Sequence, residues 1–277
     1  MKPDSNRTNP LGQQVEYTFT YNPELLFPVP RTVGRETLGL GGNRPLPFFG
    51  EDIWNCWELS WLNDRGKPIS AVMELRIPCT SQCIIESKSL KLYLNSFNMS
   101  RFKDQQEVAQ IIGADLSSTA GTEVQVRIFD CNDRKTLMTT VPRGRCIDDL
   151  EAGDYVYRVD PALLRCSDKK AENETLCSNI LRTNCPVTGQ PDWATVEITY
   201  SGNKIDESSL LAYLVSFRTH TGYHENCVET IYVHLMEHLL LDSLTISGRF
   251  TRRGGVDINP CRSSAQTPFA NHRLVRQ

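Results

Sequence analysis

The sequence predicts an α+β fold made of two related modules, each an antiparallel sheet with helices on one face. Residues 89–97 and 209–217 lie 120 positions apart and share six of nine residues without a gap, which indicates two copies of one domain. Apolar residues alternate along several short segments, as in half-buried strands, and form a continuous stripe along residues 225–241, as in a helix. Hairpin-paired strands covered by helices give an antiparallel α+β architecture.

The first half begins with an arm and continues with strands and a helix. Residues 1–50 are rich in proline, glycine and asparagine, and we expect them to wrap around the body as an extended arm. The elements predicted after the arm are strands at 72–77 and 90–97, a helix at 107–112 and a strand at 123–129. The strand at 90–97 depends on the alternation of Leu90, Leu92 and Leu94.

The second half repeats this order. Its predicted elements are strands at 194–200 and 210–217, a helix at 225–241 and a strand at 244–250. Residues 131–184, between the halves, are charged and are expected to be irregular. The predicted organisation is an arm at 1–50, a first module at 51–140, an irregular inter-module segment at 141–184 and a second module at 185–277.

The composition excludes several classes of function. The 277 residues carry a formal net charge of −3, so the chain lacks the basic field that a nucleic-acid backbone requires. No apolar run approaches the length of a membrane span, and the polar first residues do not resemble a signal peptide. The ten cysteines are therefore expected to be reduced thiols in a cytoplasmic protein. We expect direct binding neither to nucleic acid nor to a membrane.

A candidate reactive loop runs from Cys185 to Asp192. The thiol lies seven positions before the carboxyl group, and two prolines and a glycine separate them, which predicts a stiff exposed loop. A thiolate can add to an electrophilic carbon, and an acid can protonate the atom that receives the displaced electrons. This loop supplies both groups, although the same residues also fit a turn with an inert buried cysteine.

Several longer motifs occur together with this loop. They are Glu-Leu-Ser-Trp-Leu-Asn at 58–63, Glu-Ser-Lys-Ser-Leu-Lys-Leu-Tyr at 86–93, Ser-Phe-Arg at 216–218, His-Glu at 224–225 and Thr-Arg-Arg-Gly-Gly-Val-Asp-Ile-Asn-Pro at 251–260. With the Cys185 loop they resemble the long, two-module form of the NADPH-dependent nitrile reductases that act on 7-cyano-7-deazaguanine in queuosine biosynthesis. Tyr223 stands where that family has phenylalanine, and the change keeps an aromatic ring.

The resemblance implies a fold, an assembly and a reaction. The fold would be a tandem tunnelling fold, in which modules assemble into a barrel, a homodimer completes that barrel, and ligands bind at module interfaces. The reaction would convert the nitrile to 7-aminomethyl-7-deazaguanine with two NADPH, through a covalent cysteine thioimidate. The chain would then be an oxidoreductase whose partners are a small deazapurine nitrile and NADPH.

The resemblance also implies roles for particular residues. The catalytic residues would be Cys185 as nucleophile, Asp192 as proton donor and His224 as an aid to proton movement. The substrate-binding residues would be Ile85, Glu86, Ser87, His224 and Glu225. The NADPH-binding residues would be Ser87, Lys88, Arg253 and Gly254. In this scheme Glu86 accepts paired hydrogen bonds from the base, and no residue binds a metal.

Two metal-like patterns leave an alternative open. His234 and His238 match an H-x-x-E-H helix motif, but a third ligand is not evident, and two surface histidines are the simpler interpretation. His220, His224 and Cys227 form a second cluster of possible ligands. Related tunnelling-fold enzymes that act on pterins hold zinc with His and Cys, so a zinc-dependent cyclohydrolase or pterin enzyme is the alternative.

Overall fold

A computed structural model of the chain describes residues 17–41, 45–133, 138–186 and 188–277. Its strands are β1 Pro28–Pro30, β2 Phe49–Leu62, β3 Pro68–Pro78, β4 Cys83–Ile85, β5 Gln125–Asp130, β6 Thr139–Thr140, β7 Arg145–Cys146, β8 Cys166–Ser178, β9 Arg182–Asn184, β10 Pro191–Ile205, β11 Leu241–Phe250, β12 Val256–Ser263 and β13 Arg273–Leu274. Its α-helices are α1 Thr32–Arg35, α2 Ser87–Asn95, α3 Gln105–Ala120, α4 Glu207–Val215 and α5 His224–His238. Single 3₁₀ turns occupy Pro23–Leu25, Glu36–Leu38, Pro161–Leu163 and Ser216–Thr219.

Within the described residues, most strands join one nine-stranded sheet in the order β5-β3-β2-β12-β11-β10-β8-β7, with β9 paired to β10. Its pairings are antiparallel except for the short β7–β8 pair. Strand β12 pairs with β2 from Val256↔Cys56 to Ser263↔Phe49, so the sheet continues across the two halves. The predicted antiparallel α+β class is therefore confirmed.

The two repeated segments are helices, so the predicted strands at 90–97 and 210–217 are wrong. Helix α2 begins after Glu86, whose carboxylate accepts from the amides of Lys88 and Ser89, and α4 begins after Asp206, which caps the amide of Ser209. Such acidic caps are typical helix starts. The buried residues of α2 include a pair at i and i+4, Leu90 and Leu94, so the alternating leucines also fit a helical period.

The other predicted elements agree with the structure apart from their ends and the connecting segment. The predicted segments 72–77, 107–112, 194–200 and 244–250 lie inside β3, α3, β10 and β11, and 123–129 overlaps β5. Helix α5 ends at His238 because Leu240 has a left-handed φ of 50° and Leu241 already begins β11.

The segment 131–184, predicted to be irregular, contains the thirteen-residue strand β8, so that prediction is wrong. Much of β8 is exposed and polar, which removes the apolar alternation by which a strand is usually recognised. The arm predicted at 1–50 lies partly outside the described residues, since 1–16 and 42–44 are not among them. Its described part holds β1 and α1.

A hydrophobic core lies between the helices and one face of the sheet. In the second half, Val196 and Ile198 of β10 and Ile246 of β11 pack with residues of α5. The intervening positions, such as Glu197 and Ser247, point to the opposite face, as the alternation of a strand requires. Among the described residues, no helix has the length and apolar character needed to cross a membrane.

A buried ion network lies where the two halves of the sheet meet. Asp52 of β2 accepts from Arg31 at 2.5 Å and from Arg262 of β12 at 2.8 Å. Glu229 of α5 accepts from Arg262 at 2.8 Å and from Arg35 of α1 at 2.6 Å. These five side chains are at most 8% exposed. The network therefore ties the N-terminal segment, both halves of the sheet and α5 to one another.

Removing one charge from this network should lower the stability of the folded protein. Glu229→Gln leaves Arg35 and Arg262 buried with weakened partners, so we expect the free energy of unfolding to fall by about 3–5 kcal/mol. Chemical denaturation monitored by circular dichroism measures this change. Arg145→Gln is the control, because Arg145 pairs with Glu207 but is half exposed, and it should cost less than about 1 kcal/mol. Equal losses in the two variants would contradict the role assigned to the network.

Candidate active site

A pocket lies where the β4–α2 junction of the first half meets the Cys185 loop and the start of α5 from the second half. Seven of the ten site residues predicted from the sequence line it, namely Ile85, Ser87, Cys185, Asp192, His224, Glu225 and Arg253. The three others, Glu86, Lys88 and Gly254, are chain neighbours of lining residues. The fold thus gathers residues that are up to 168 positions apart in the chain, from Ile85 to Arg253.

Cys185 follows β9 and opens a tight turn. Its amide donates to the carbonyl of Gln190 at 2.9 Å, and its carbonyl accepts from the amide of Gly189 at 3.1 Å. Gly189 has a φ of 66°, a conformation that favours glycine. The predicted exposed loop is correct for the tip of this turn but wrong for Cys185, which is only 4% exposed and lies in the pocket wall.

Asp192 lies in β10, opposite Thr183 of β9, and its side chain is 6% exposed. Its carboxylate lies 3.4 Å from Nε2 of His224 and 3.3 Å from Nε of Arg253. Burial by itself would raise the pKa of Asp192. The hydrogen bond and electrostatic interaction with His224, together with the charges of Arg253 and Lys91, outweigh that effect and lower the pKa below its ordinary value. Asp192 is therefore ionised at neutral pH.

His224 is held in a fixed orientation at the first position of α5. Its ring stacks on Phe250 of β11, with centroids 3.8 Å apart and planes 5° from parallel. Nε2 faces Asp192, whereas Nδ1 is buried and has no hydrogen-bond partner in the described part of the chain. A buried polar atom in a pocket wall without a partner indicates a position that a ligand can satisfy.

Glu225 presents a carboxylate to the pocket from the first turn of α5 and is 3% exposed. Burial and then the negative charge of Asp52 raise its pKa to about 7, against the opposing effect of Arg31 and Arg262. This carboxylate therefore changes charge near neutral pH.

Glu86 occupies a different position from the one that the sequence suggested. Its side chain is fully buried at the start of α2, where it accepts from the amides of Lys88 at 2.8 Å and Ser89 at 2.7 Å. The pocket wall is formed instead by its neighbours Ile85 and Ser87. Glu86 thus fixes the helix turn that carries these residues, and a direct contact with the base remains a prediction.

Known proteins resemble this chain over both of its halves. Residues 17–128 match the family described as "Nitrile reductase, 7-cyano-7-deazaguanine-reductase N-term", and residues 191–268 match the family described as "QueF-like protein". A protein of Desulfotalea psychrophila named NADPH-dependent 7-cyano-7-deazaguanine reductase is 50% identical to the chain over the whole of both sequences. The chain belongs to this reductase family.

Other relatives carry the same name. The reductase of Azoarcus sp. is 47% identical and aligns over 97% of this chain and 95% of its own length. The reductase of Teredinibacter turnerae is 50% identical over 96% of this chain and 95% of its own length. The alignments span both halves of the sheet and all the predicted site residues.

The residues predicted to bind NADPH lie in the pocket wall or next to it in the chain. Ser87 and Arg253 line the pocket with Cys185, and Arg253 also donates to Oε1 of Gln190 at 2.9 Å. Gly254 has a φ of 59°, and a Cβ there would lie 3.2 Å from the Lys91 side chain. Cations around a glycine that permits close backbone approach suit the phosphates of NADPH.

Lys91 lies beside Gly254, close to the pocket, and the sequence reasoning did not single it out. It is largely buried, and burial and the charge of Arg253 lower its pKa, while Glu86 and Asp192 act in the opposite direction. The predicted strand at 90–97 put Lys91 on the same face as Tyr93 and Asn95 and did not include Lys88. On a helix, positions i and i+3 share a face, and this spacing is the signal that would have grouped the two lysines.

The residues of the two metal-like sequence patterns do not come together as a metal site in the described part of the chain. Among the described residues, no three His, Cys, Asp or Glu side chains lie close enough to hold a metal ion. Nδ1 of His234 lies 2.8 Å from the hydroxyl of Tyr213, and Cys227 is fully buried, with a pKa raised by burial. His220, His224 and Cys227 therefore do not form the zinc site of the cyclohydrolase alternative.

The pKa of Glu225 predicts a pH-dependent stability. Between its ordinary value of 4.5 and about 7 the folded protein keeps this proton and the unfolded chain does not. The stabilisation is thus complete below pH 4.5 and is lost as the pH rises to 7. Glu225→Gln cannot titrate, so its free energy of unfolding relative to that of the wild type should rise by about 3 kcal/mol between pH 4.5 and 7.5.

Urea denaturation across this pH range measures the difference between the two proteins. Glu237→Gln controls for the loss of a glutamate from an exposed position of the same helix. A difference between wild type and Glu225→Gln that stays constant with pH would contradict the raised pKa.

Proposed function

We propose that the chain reduces the nitrile of 7-cyano-7-deazaguanine to an aminomethyl group through a covalent thioimidate on Cys185. As a member of the reductase family it is an NADPH-dependent oxidoreductase of queuosine biosynthesis. The observation that carries the covalent route is the placement of Cys185 in one pocket with Asp192, His224 and Glu225. These residues supply a nucleophile, a path for protons and an acceptor for the base.

In the first step the sulfur of Cys185 bonds to the nitrile carbon and one carbon–nitrogen π bond breaks. The nitrogen gains an electron pair and takes up the proton that the thiol gives away. Asp192 is ionised because of His224 and Arg253. It is therefore suited to accept this proton and transfer it to the nitrogen, and not to carry a proton from the outset. The product is a thioimidate, a better hydride acceptor than the nitrile.

Bound NADPH supplies the hydride for each of the two reductions. After the first, the carbon–sulfur bond of the adduct breaks, Cys185 leaves as a thiolate and the substrate becomes an imine. The second converts the imine to the amine. His224, fixed by its stack on Phe250 and its contact with Asp192, is placed to deliver the protons that the two reductions consume.

The base is held from both halves of the protein. Glu225, when ionised, can accept two parallel hydrogen bonds from the amino group and the ring N–H of a guanine-like edge. Ile85 and Ser87 form the facing wall, and Tyr223 adds an aromatic surface. A carboxylate can accept more than the two capping bonds that Glu86 makes, so we assign it a further contact with the base.

We further propose that the two halves are tandem tunnelling-fold modules, at 51–140 and 185–277, joined by the segment 141–184. The continuous sheet, with helices packed on one face, supports this assignment. In the described part of the chain the sheet ends at β5 and β7, and strands at such ends offer backbone groups to another chain. A homodimer would complete the barrel through them, and no contact with tRNA is required.

The reaction itself predicts a stoichiometry. Reduction of a nitrile to an amine takes four electrons, so two NADPH should be oxidised for each amine formed. Absorbance at the nicotinamide band and chromatography of the product measure the two quantities. A ratio of one, or no oxidation with the nitrile present, would refute the proposed function.

Cys185→Ala separates binding from covalent chemistry. The variant should bind the nitrile but form no adduct and oxidise no NADPH, because Glu225, Ile85 and Ser87 remain in place. Intact mass after incubation with the nitrile alone should show an increment mapped to Cys185 in the wild type and none in the variant. Turnover by Cys185→Ala would overturn the covalent route.

Glu86→Ala tests whether this carboxylate contacts the base. We expect nitrile binding to weaken by about 1.5–3 kcal/mol, the scale of a hydrogen bond to a charged group. The substitution also removes a helix cap, worth about 1 kcal/mol of stability. Isothermal titration in the Cys185→Ala background measures the affinity, and Cys185 should stay alkylatable in Glu86→Ala itself.

Asp206→Ala provides the matched control for Glu86→Ala. Asp206 caps α4, the copy of α2 in the second half, and is not among the pocket residues. It should lose similar stability and bind the nitrile like the parent. If both variants bind like the parent, Glu86 acts only as a cap.

A further inference from the structure

Trp54 is a buried residue in the wall of the candidate active site. The residue lies in β2, between Ile258 of β12 and Leu75 of β3, and is 1% exposed. Its side chain lines the pocket with Cys185 and Glu225. The indole Nε1 is buried and has no hydrogen-bond partner among the residues that the structure describes. An indole N–H can only donate, and a buried donor without an acceptor is destabilising.

The edge of the base that Glu225 binds in the proposed function also carries a carbonyl oxygen, which needs a hydrogen-bond donor. An ionised carboxylate only accepts, so Glu225 can pair with the amino group and the ring N–H of a guanine-like base, but not with the carbonyl oxygen beside them. Arg253, a cation of the same pocket, is already engaged with Asp192 and Gln190. The carbonyl therefore requires a donor from another wall residue.

We infer that Trp54 is a substrate-binding residue whose indole N–H donates to the carbonyl oxygen of the base. This inference rests on the proposed function, because it takes the 7-cyano-7-deazaguanine ring as the ligand. The hydrogen bond satisfies a donor that is otherwise unpaired, so it favours oxo-purines over bases that offer a weaker acceptor at that position. Glu225 binds the amino group and the ring N–H, and Trp54 binds the carbonyl oxygen next to them.

The test compares two ligands in two proteins. In the Cys185→Ala background, calorimetry measures the affinity for the nitrile and for its 6-thio analogue, in which a weakly accepting sulfur replaces the carbonyl oxygen and the N–H groups are retained. Trp54→Phe should weaken binding of the oxo ligand about 3- to 10-fold and bring the oxo-to-thio preference close to one. An unchanged preference would overturn the inference.

Trp61→Phe is the matched control. Trp61 lies in the same strand, is 2% exposed and packs in the same core, but does not line the pocket. It loses the same volume and should keep the parent's preference between the two ligands. A preference that falls equally in both variants would mean that core packing, and not the indole N–H, is responsible.

A second measurement leaves Trp54 in place. The chain has four tryptophans, so ¹⁵N-labelled indole groups give a spectrum that Trp57→Phe, Trp61→Phe and Trp193→Phe assign by elimination. The Trp54 N–H signal should move downfield with the oxo ligand and less with the thio ligand. No shift with the oxo ligand would overturn the inference even if Trp54→Phe does not fold.

The two proposals fail in different ways. If the wild type forms no adduct with the nitrile and oxidises no NADPH, the proposed function is wrong. If the adduct forms at Cys185 but Trp54→Phe keeps the oxo-to-thio preference, only the role of Trp54 is wrong.

Discussion

The buried pairing of Asp52 and Glu229 with three arginines holds the two halves of the molecule in register. Arg262 bridges both carboxylates, and Arg31 and Arg35 bring the N-terminal segment against them. Buried ion pairs add little net stability over an apolar core, but breaking one is expensive, so they strongly disfavour other arrangements. This network fixes how β2, β12 and α5 meet, and the active-site pocket opens beside that junction.

The same network affects the pKa of Glu225 in the pocket. Glu225 lies one turn before Glu229 on α5, and its pKa responds to burial, to Asp52 and to the arginines Arg31 and Arg262. On the other side of the pocket, Asp192 is kept ionised by His224, Arg253 and Lys91. In the proposed mechanism, these two carboxylates with pKa values displaced in opposite directions have different tasks: Glu225 binds the base and Asp192 moves a proton.

The repeated segment shows how one local structure serves two purposes. Helices α2 and α4 begin with an acidic cap and end with a serine whose hydroxyl donates to a tyrosine carbonyl, Ser96 to Tyr93 and Ser216 to Tyr213. Only α2 starts at the pocket, with Ser87 in its wall and Lys91 near Gly254. The second half contributes the Cys185 turn and the start of α5 instead, so a complete site needs both halves.

The sequence by itself determined the repeat of residues 89–97 at 209–217, the α+β class, most strands, and seven residues of the pocket wall. Those features follow from local periodicity and from motifs, which can be recognised without knowing the tertiary contacts. It could not show that the repeated segments are helices, because three alternating leucines fit both a strand and a helix until their burial is known. It could not show that Cys185 is buried, that Glu86 caps a helix, or that the Trp54 indole has no partner within the described ranges. Only the tertiary structure decides these, since burial and hydrogen bonding depend on segments distant in the chain.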